Sequence, residues 1–384
     1  MHWTIRFIAA CCLLIASAAS STTRFPNAEH QRLGDAACLK CHPAASGVLT
    51  GVMGTRAPER AFAHRALGRD GNAFFDGSCA GCHVTACKDC HGEGAALVAK
   101  PADDACLRCH RGYFVGWDYH GRAPREDHER YQRGAEANGE RILKMLPDIH
   151  HELGLTCADC HTMKSLQEGR ATGKTCRDCH PKVSLAVPEH AIAAHLDKME
   201  CYACHSAWAA QEYGTFIVRP KTEEQQELFA VLPAWGPWRK SAYLKRQDAP
   251  PLGLNARGLV SPIRPEFVMF ATDLRRGWEN RELTTEWKAF FPHTIRRGSV
   301  PCSGCHDSPR RFVLEDDRER ILRPDEDGLP LRSFWNQTGQ TVTNGAFFPR
   351  SRYEQMNQKS LQYKREHLRR WQQILDHAGS SRGH

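Results

Sequence analysis

Long apolar runs are almost missing from this chain of 384 residues. Past Ile15 no stretch approaches the roughly eighteen consecutive apolar residues that a membrane-crossing helix needs, so a spanning protein is not expected. Methionine is scarce, with seven residues, too few for thioether sulfur to serve as a general metal ligand. Spare cysteines are missing as well. Of eighteen cysteines, sixteen fall into eight C-x-x-C-H motifs, and the other two, Cys11 and Cys12, lie among the first twenty residues. That leaves no thiols for a disulfide framework.

The motifs are Cys38/Cys41 with His42, Cys79/Cys82 with His83, Cys87/Cys90 with His91, Cys106/Cys109 with His110, Cys157/Cys160 with His161, Cys176/Cys179 with His180, Cys201/Cys204 with His205 and Cys302/Cys305 with His306. At this chain's Cys and His frequencies chance gives roughly 0.05 such motifs, so the pattern reflects chemistry. Two thiols three residues apart add across the vinyl groups of one haem, and the histidine that follows sits beneath the iron as its proximal ligand. Eight covalently attached haem c groups are therefore expected. A zinc reading would need the thiol pairs to close tetrahedral sites, and it leaves eight identically placed histidines without a role.

The first residues fit that chemistry. Arg6 gives a short positive region, Phe7 to Ile15 an apolar run and Ala16-Ser17-Ala18 a small-residue cleavage site, the layout of a secretory signal peptide over residues 1–20. Ile8-Ala9-Ala10-Cys11 also resembles a lipobox, but it leaves almost no apolar core between Arg6 and Cys11. Haem c is attached outside the cytoplasmic membrane, so a periplasmic or extracellular protein is expected. Formal net charge is +8. A ferric haem brings about one positive ring charge and two propionates, so eight of them cancel that excess. The basic residues are then expected to pair with propionates rather than with nucleic acid.

Seven motifs crowd between Cys38 and His205, about 24 residues per haem, which leaves little room for a side-chain core. Porphyrins are expected to supply most of the buried apolar surface there. The expected fold class is a multihaem cytochrome c: mainly short α-helices and irregular structure wrapped around stacked haems, with little β. Residues 21–205 would form a seven-haem domain, and 206–384 a C-terminal domain with the eighth haem and a terminal helix. The interval from Cys87 to Cys106 equals that from Cys157 to Cys176, nineteen residues, which marks a two-haem internal repeat. In the second half, Arg264 to Asp273 reads as a strand, Thr284 to Phe291 as a short helix and Ser351 to Asp376 as a long charged helix. Lys359, Lys364, Arg365, Arg369 and Arg370 on that helix offer a docking face. The plainer reading is a solvated face packed by Leu361, Leu368 and Trp371.

Sixth ligands decide between carrier and catalyst. Setting aside the eight motif histidines, His2 and His384, eleven of the 21 histidines remain. That suffices for bis-histidine ligation throughout, a low-potential arrangement, and leaves open whether one iron keeps an exchangeable position. Five are favoured by placement. His64 lies on a short helix from Pro58 to Leu67 stopped by Gly68, His150 follows Pro147, and His293 precedes the eighth motif. His190 and His195 fall on a helix opened by Pro188. Five residues apart, they point about 140° from each other and so toward two different haems. His30, His120 and His128 complete the candidate ligands. His151 competes with its neighbour His150, and His367 and His377 belong to the basic C-terminal helix, facing solvent.

With eight such motifs and a signal peptide, the chain resembles octahaem c-type cytochromes, and in particular multihaem cytochromes of metal-reducing anaerobic bacteria. The shared runs are Cys106-Leu107-Arg108-Cys109-His110-Arg111-Gly112-Tyr113, Glu200-Cys201-Tyr202-Ala203-Cys204-His205-Ser206-Ala207-Trp208 and Pro292-His293-Thr294. The resemblance implies electron relay in anaerobic respiration, with redox proteins as partners: a membrane quinol-oxidising complex or a terminal reductase. Two alternatives share the motifs: an octahaem reductase of a small nitrogen or sulfur oxyanion, and a subunit of an extracellular cytochrome filament. The C-x-x-C-K motif of octahaem nitrite reductases is absent, and no catalytic residue of that group has a counterpart here.

Overall fold

The computed structural model describes residues 35–78, 84–92, 100–110, 119–122, 136–137, 140–145, 147–168, 173–212, 215–219, 232–235, 238–242, 245–314, 337 and 339–380. The first part is built from short helices: α1 (Asp35–Cys41), α2 (Ser46–Thr50), α3 (Val52–Thr55), α4 (Ala57–Leu67), α5 (Asp70–Ser78), α6 (Lys88–His91) and α7 (Asp103–Leu107). Strands β1 (Tyr119–Arg122), β2 (Glu136–Ala137) and β3 (Glu140–Met145) follow, forming an antiparallel sheet in the order β1-β3-β2. Helices then resume with α8 (Ile149–Glu152), α9 (Cys157–Cys160), α10 (Met163–Glu168), α11 (Cys176–Cys179), α12 (Pro188–Ala191), α13 (Ala193–Lys198) and α14 (Cys201–His205).

The expected helix around His64 is α4, with Pro58 in its first turn and Gly68 at its end in a positive-φ conformation (φ 62°), which suits glycine as a stop. The single helix expected to carry both His190 and His195 is two. Ile192, with ψ near 100°, is extended and breaks it into α12 and α13.

From Tyr202 back to Cys87, no apolar side chain among the described residues is buried, whereas Leu153, Leu155, Leu185, Val187 and Ile192 stand exposed. Polypeptide alone does not close this region. Nearer the N-terminus the outcome differs from the expectation of a coreless segment. Phe62, Ala63, Ala66, Leu67, Phe74 and Phe75 of α4 and α5 form an apolar cluster, with Trp278 and Leu283 packed against it.

The second half departs from the expectation of little β. It carries β4 (Ala209–Glu212), β5 (Thr215–Arg219), β6 (Leu232–Trp235), β7 (Trp238–Ala242), β8 (Lys245–Asp248), β9 (Leu252–Asn255), β10 (Val260–Asp273) and β11 (Trp278–Ala289). After the one-turn helix α15 (Ser303–His306) come β12 (Thr341–Val342), β13 (Gly345–Phe347) and the long helix α16 (Arg350–Ser380). One sheet has eight strands, with β12-β11-β10-β5-β7-β6 in order and β9 and β13 attached beside β10; β4 and β8 pair separately. With one haem motif in this half, ordinary side-chain burial has to stabilise it, and a sheet does so economically.

Residues 284–291 belong mostly to β11, not to a helix. The two threonines favour strand, and pairing with β10 in antiparallel register, Thr285 opposite Val268 and Trp287 opposite Pro265, fixes a period of two. Trp287 and Ala289 are buried as a result. The strand expected over Arg264 to Asp273 lies within β10, and the expected long helix is α16. Leu361 and Leu368 do not pack that helix: they are 40% and 68% exposed.

A second apolar cluster joins Ala203 of the seventh motif to Leu252, Val260, Phe312, Leu314, Phe348 and Tyr353, with Cys305 of the eighth motif and Met356 packed against it. The sheet and the start of α16 thus form the platform on which the last two motifs rest. Tyr353 Oη and Asn357 Nδ2 of α16 donate to the His306 carbonyl at 3.3 and 2.6 Å.

Candidate haem-binding sites

Each described motif is a closed helical turn. The histidine N–H donates to the carbonyl of the first cysteine from His42, His91, His110, His161, His180 and His306, over 2.7–3.1 Å. One turn sets residues i and i+3 on the same side of the backbone, which is what two thioether bonds to a single macrocycle require. Three motifs carry their own cap. Thr156 with Asp159, and Thr175 with Asp178, form capping boxes, and Asp89 accepts from the N–H groups of Thr85 and Ala86 at 2.8 and 2.9 Å. Those backbone bonds hold the Asp89 and Asp178 carboxyls below the usual range. For Asp159 the Lys100 ammonium at 2.7 Å acts first in the same direction.

Four imidazole pairs stand out. Ring centres lie 6.2 Å apart for His150 and His180, 6.2 Å for His161 and His293, 6.1 Å for His190 and His205, and 6.1 Å for His195 and His306. Every pair joins one motif histidine to one histidine from outside the motifs. A metal–imidazole bond of about 2 Å, with each ring centre about 1.1 Å behind its nitrogen, puts two rings about 6 Å apart across one metal. The spacing fits an axially held iron. Among the described residues no third protein ligand joins either imidazole of a pair, which suits a macrocycle such as the haem that the adjacent thiols would bind.

The outer nitrogens support the same fit. Nδ1 of His150 lies 2.8 Å from the Asp148 carboxylate, that of His190 3.3 Å from the Ser184 carbonyl, that of His195 3.0 Å from the Glu189 carbonyl and that of His293 3.0 Å from the Phe291 carbonyl. Facing an acceptor, each Nδ1 carries the proton and leaves Nε2 as the lone-pair nitrogen. Burial, helped by the opposing His161, pushes His293 down to about 4, so it is neutral, the form that binds metal. Its backbone is left-handed, φ 55°, uncommon for a residue other than glycine. The loop accepts that strain to aim the ring at His161.

Neighbouring motifs touch in chain order. Arg108 of the fourth donates to the Asp89 carbonyl of the third. Asp103, beside the fourth, accepts from Cys157 N of the fifth at 2.8 Å, and the Cys106 and Cys157 sulfurs are close neighbours. Lys174 N, beside the sixth, donates to the Cys160 carbonyl of the fifth at 3.1 Å. The Cys176 and Cys201 sulfurs of the sixth and seventh are close neighbours, and Val300 N, beside the eighth, donates to the Cys204 carbonyl at 3.0 Å.

Not every candidate is brought to a partner. His64 is exposed on α4, with no imidazole facing it among the described residues. His151 is partly buried beside His150. The backbone of His120 lies in β1, but its side chain falls outside the described residues, as do the Cys41 side chain, His30, Cys79, Cys82, His83, His128 and the whole of residues 1–20. Sequence reasoning missed Asp148, although an Asp two residues ahead of a candidate ligand is a recognisable helix cap.

Residues 149–216 match the family model described as cytochrome c3. The match takes in the fifth, sixth and seventh motifs together with His150, His190 and His195, and it supports a multihaem c-type cytochrome with covalently bound haem c and a role in electron transfer. No curated protein and no solved structure matches the chain. No helix among the described residues is long and apolar enough to cross a membrane.

Proposed function

We propose that this chain is a secreted octahaem c-type cytochrome, periplasmic or extracellular, that relays electrons through closely spaced, low-potential haems in anaerobic respiration. The observation that carries the reading is the set of four imidazole pairs at 6.1–6.2 Å, each made of a motif histidine and an outside one. Each haem, once bound, supplies one reversible electron. The polypeptide would position and tune: the motif thiols would fix each group, and the paired imidazoles would hold the iron so that little reorganises on electron gain. Bis-histidine ligation also accounts for low potentials, since methionine is the ligand that raises them.

Contacts between successive motifs support a succession from the motif at Cys87 to the motif at Cys302. The ligands tie that order into the fold. His195, from before the seventh motif, would serve the eighth haem, and His293, from the second half, would serve the fifth. In this scheme electrons arrive from a donor such as a membrane quinol-oxidising complex and leave to a terminal reductase.

Two measurements on the purified, matured protein test the proposal. Intact mass should exceed the processed polypeptide by roughly 4.9 kDa, about 0.6 kDa for each covalently bound haem. Electron paramagnetic resonance of the oxidised protein should show low-spin iron only. A smaller mass excess would remove the count of eight, and a high-spin signal worth one haem would favour a reductase of a small oxyanion over a carrier.

A further inference from the structure

Asp148 is 7% exposed and sits at the N-terminus of α8, where the chain meets the loop that carries His293. One carboxylate oxygen accepts both from the His150 backbone N–H and from His150 Nδ1, each at 2.8 Å. The other accepts from the backbone N–H of Ile295 at 2.7 Å, two residues past His293. The two segments are joined around it. Ile149 N donates to the Ile295 carbonyl at 2.9 Å, and Arg296 donates to the Pro147 carbonyl at 2.7 Å and pairs with Glu152 at 2.9 Å. A single buried side chain therefore holds the supports of two outside histidines, one facing His180 and the other facing His161.

We propose that Asp148 is a positioning residue for two neighbouring haems, aiming His150 and His293 as their sixth ligands and lowering the potential of the haem attached at Cys176 and Cys179. The inference rests on the axial role proposed above for those two histidines. Its physical basis is the charge-assisted bond. An imidazole that donates from Nδ1 to a carboxylate becomes a stronger electron donor at Nε2, and a buried negative charge nearby favours the more positive, oxidised iron. The charge-assisted bond is made on the His150 side alone. On the His293 side Asp148 acts through the backbone at Ile295, which places the loop, and through its field, which reaches His293 and Cys160 of the fifth motif without a direct bond.

The test uses the full matured protein in three forms: wild type, Asp148→Asn and Asp148→Ser. Serine keeps an acceptor for the α8 N-terminus but carries no charge and is too short to bridge to Ile295, so it separates capping from the proposed role. Either variant suffices if the other fails to mature. Each should retain the wild-type haem mass. In a spectroelectrochemical titration, amplitude worth one haem should move most strongly to higher potential, with a smaller shift of a second, and at least one low-spin resonance should shift. In Asp148→Ser, a high-spin fraction worth no more than two haems should also appear and be quenched by added imidazole. Titration curves that superimpose on wild type in a fully loaded variant would overturn the proposal. Failure of the underlying ligand assignment looks different: His150→Ala and His293→Ala would each leave the iron wholly low-spin.

Discussion

His195 and His306 face each other with ring centres 6.1 Å apart, although strands β4 to β11 all lie between them in sequence. The pair joins the helix ahead of the seventh motif to the eighth motif. Replacing His195 with methionine should therefore leave the covalent haem load unchanged and raise the potential of one haem, because thioether ligation favours the ferrous state. A redox titration checks it: amplitude worth one haem should separate toward higher potential, while an unchanged curve would remove His195 from the ligands.

His293→Ala opens the other long-range pair. Its ring is aimed by a left-handed backbone and packs edge-on to Phe291 at 4.6 Å, and no second histidine in that loop can replace it. The oxidised variant should show high-spin iron worth one haem, and the reduced variant should bind carbon monoxide in the same proportion. Millimolar imidazole should abolish both. Wild-type protein should do neither.

Arg311 is 5% exposed, donates to the Ala203 carbonyl of the seventh motif at 3.3 Å and lies against the Cys305 thiol of the eighth. A permanent positive charge buried between these two motifs would disfavour the oxidised, more positive iron of a haem bound at either one. Arg311→Gln should lower the potentials of the haems at these two motifs, whereas Arg311→Lys should stay closer to wild type. Equal curves for glutamine and lysine would mean that shape, not charge, is what Arg311 contributes.

Local features of the fold were legible in the sequence, and long-range ones were not. Pro58 and Gly68 bracket α4 because proline favours a first turn and glycine a left-handed stop. His150, His190, His195 and His293 stood out as ligand candidates by their placement near motifs. Which motif each one faces was hidden, because His161 and His293 are far apart in the chain and meet only through the tertiary packing of the loop after β11. Residues 284–291 misled in another way. Their helix-like mix of charges and aromatics yields to antiparallel pairing with Val268 and Pro265 of the adjoining strand β10, which the segment's own composition does not reveal. The break at Ile192 is a further case, since helix propensity alone gives no reason for an extended residue there.

The final expectation concerns folding without haem. Between Cys87 and Tyr202 no described apolar side chain is buried, and Leu153, Leu155, Leu185, Val187 and Ile192 face outward. If porphyrin faces are what these residues pack on, the unmatured chain cannot order this segment, because burial at about 25 cal/mol per Å² has nothing to act on. The sheet region has its own apolar clusters, with Trp287 and Leu252 fully buried. Protein made in the cytoplasm without residues 1–20 and without attached haem should show rapid amide exchange and early proteolytic cuts across residues 87–200. Peptides from β9, β10 and β11 should exchange more slowly. Protection of residues 87–200 equal to that of the matured protein would show that polypeptide contacts alone hold this region, and would remove the porphyrins from its core.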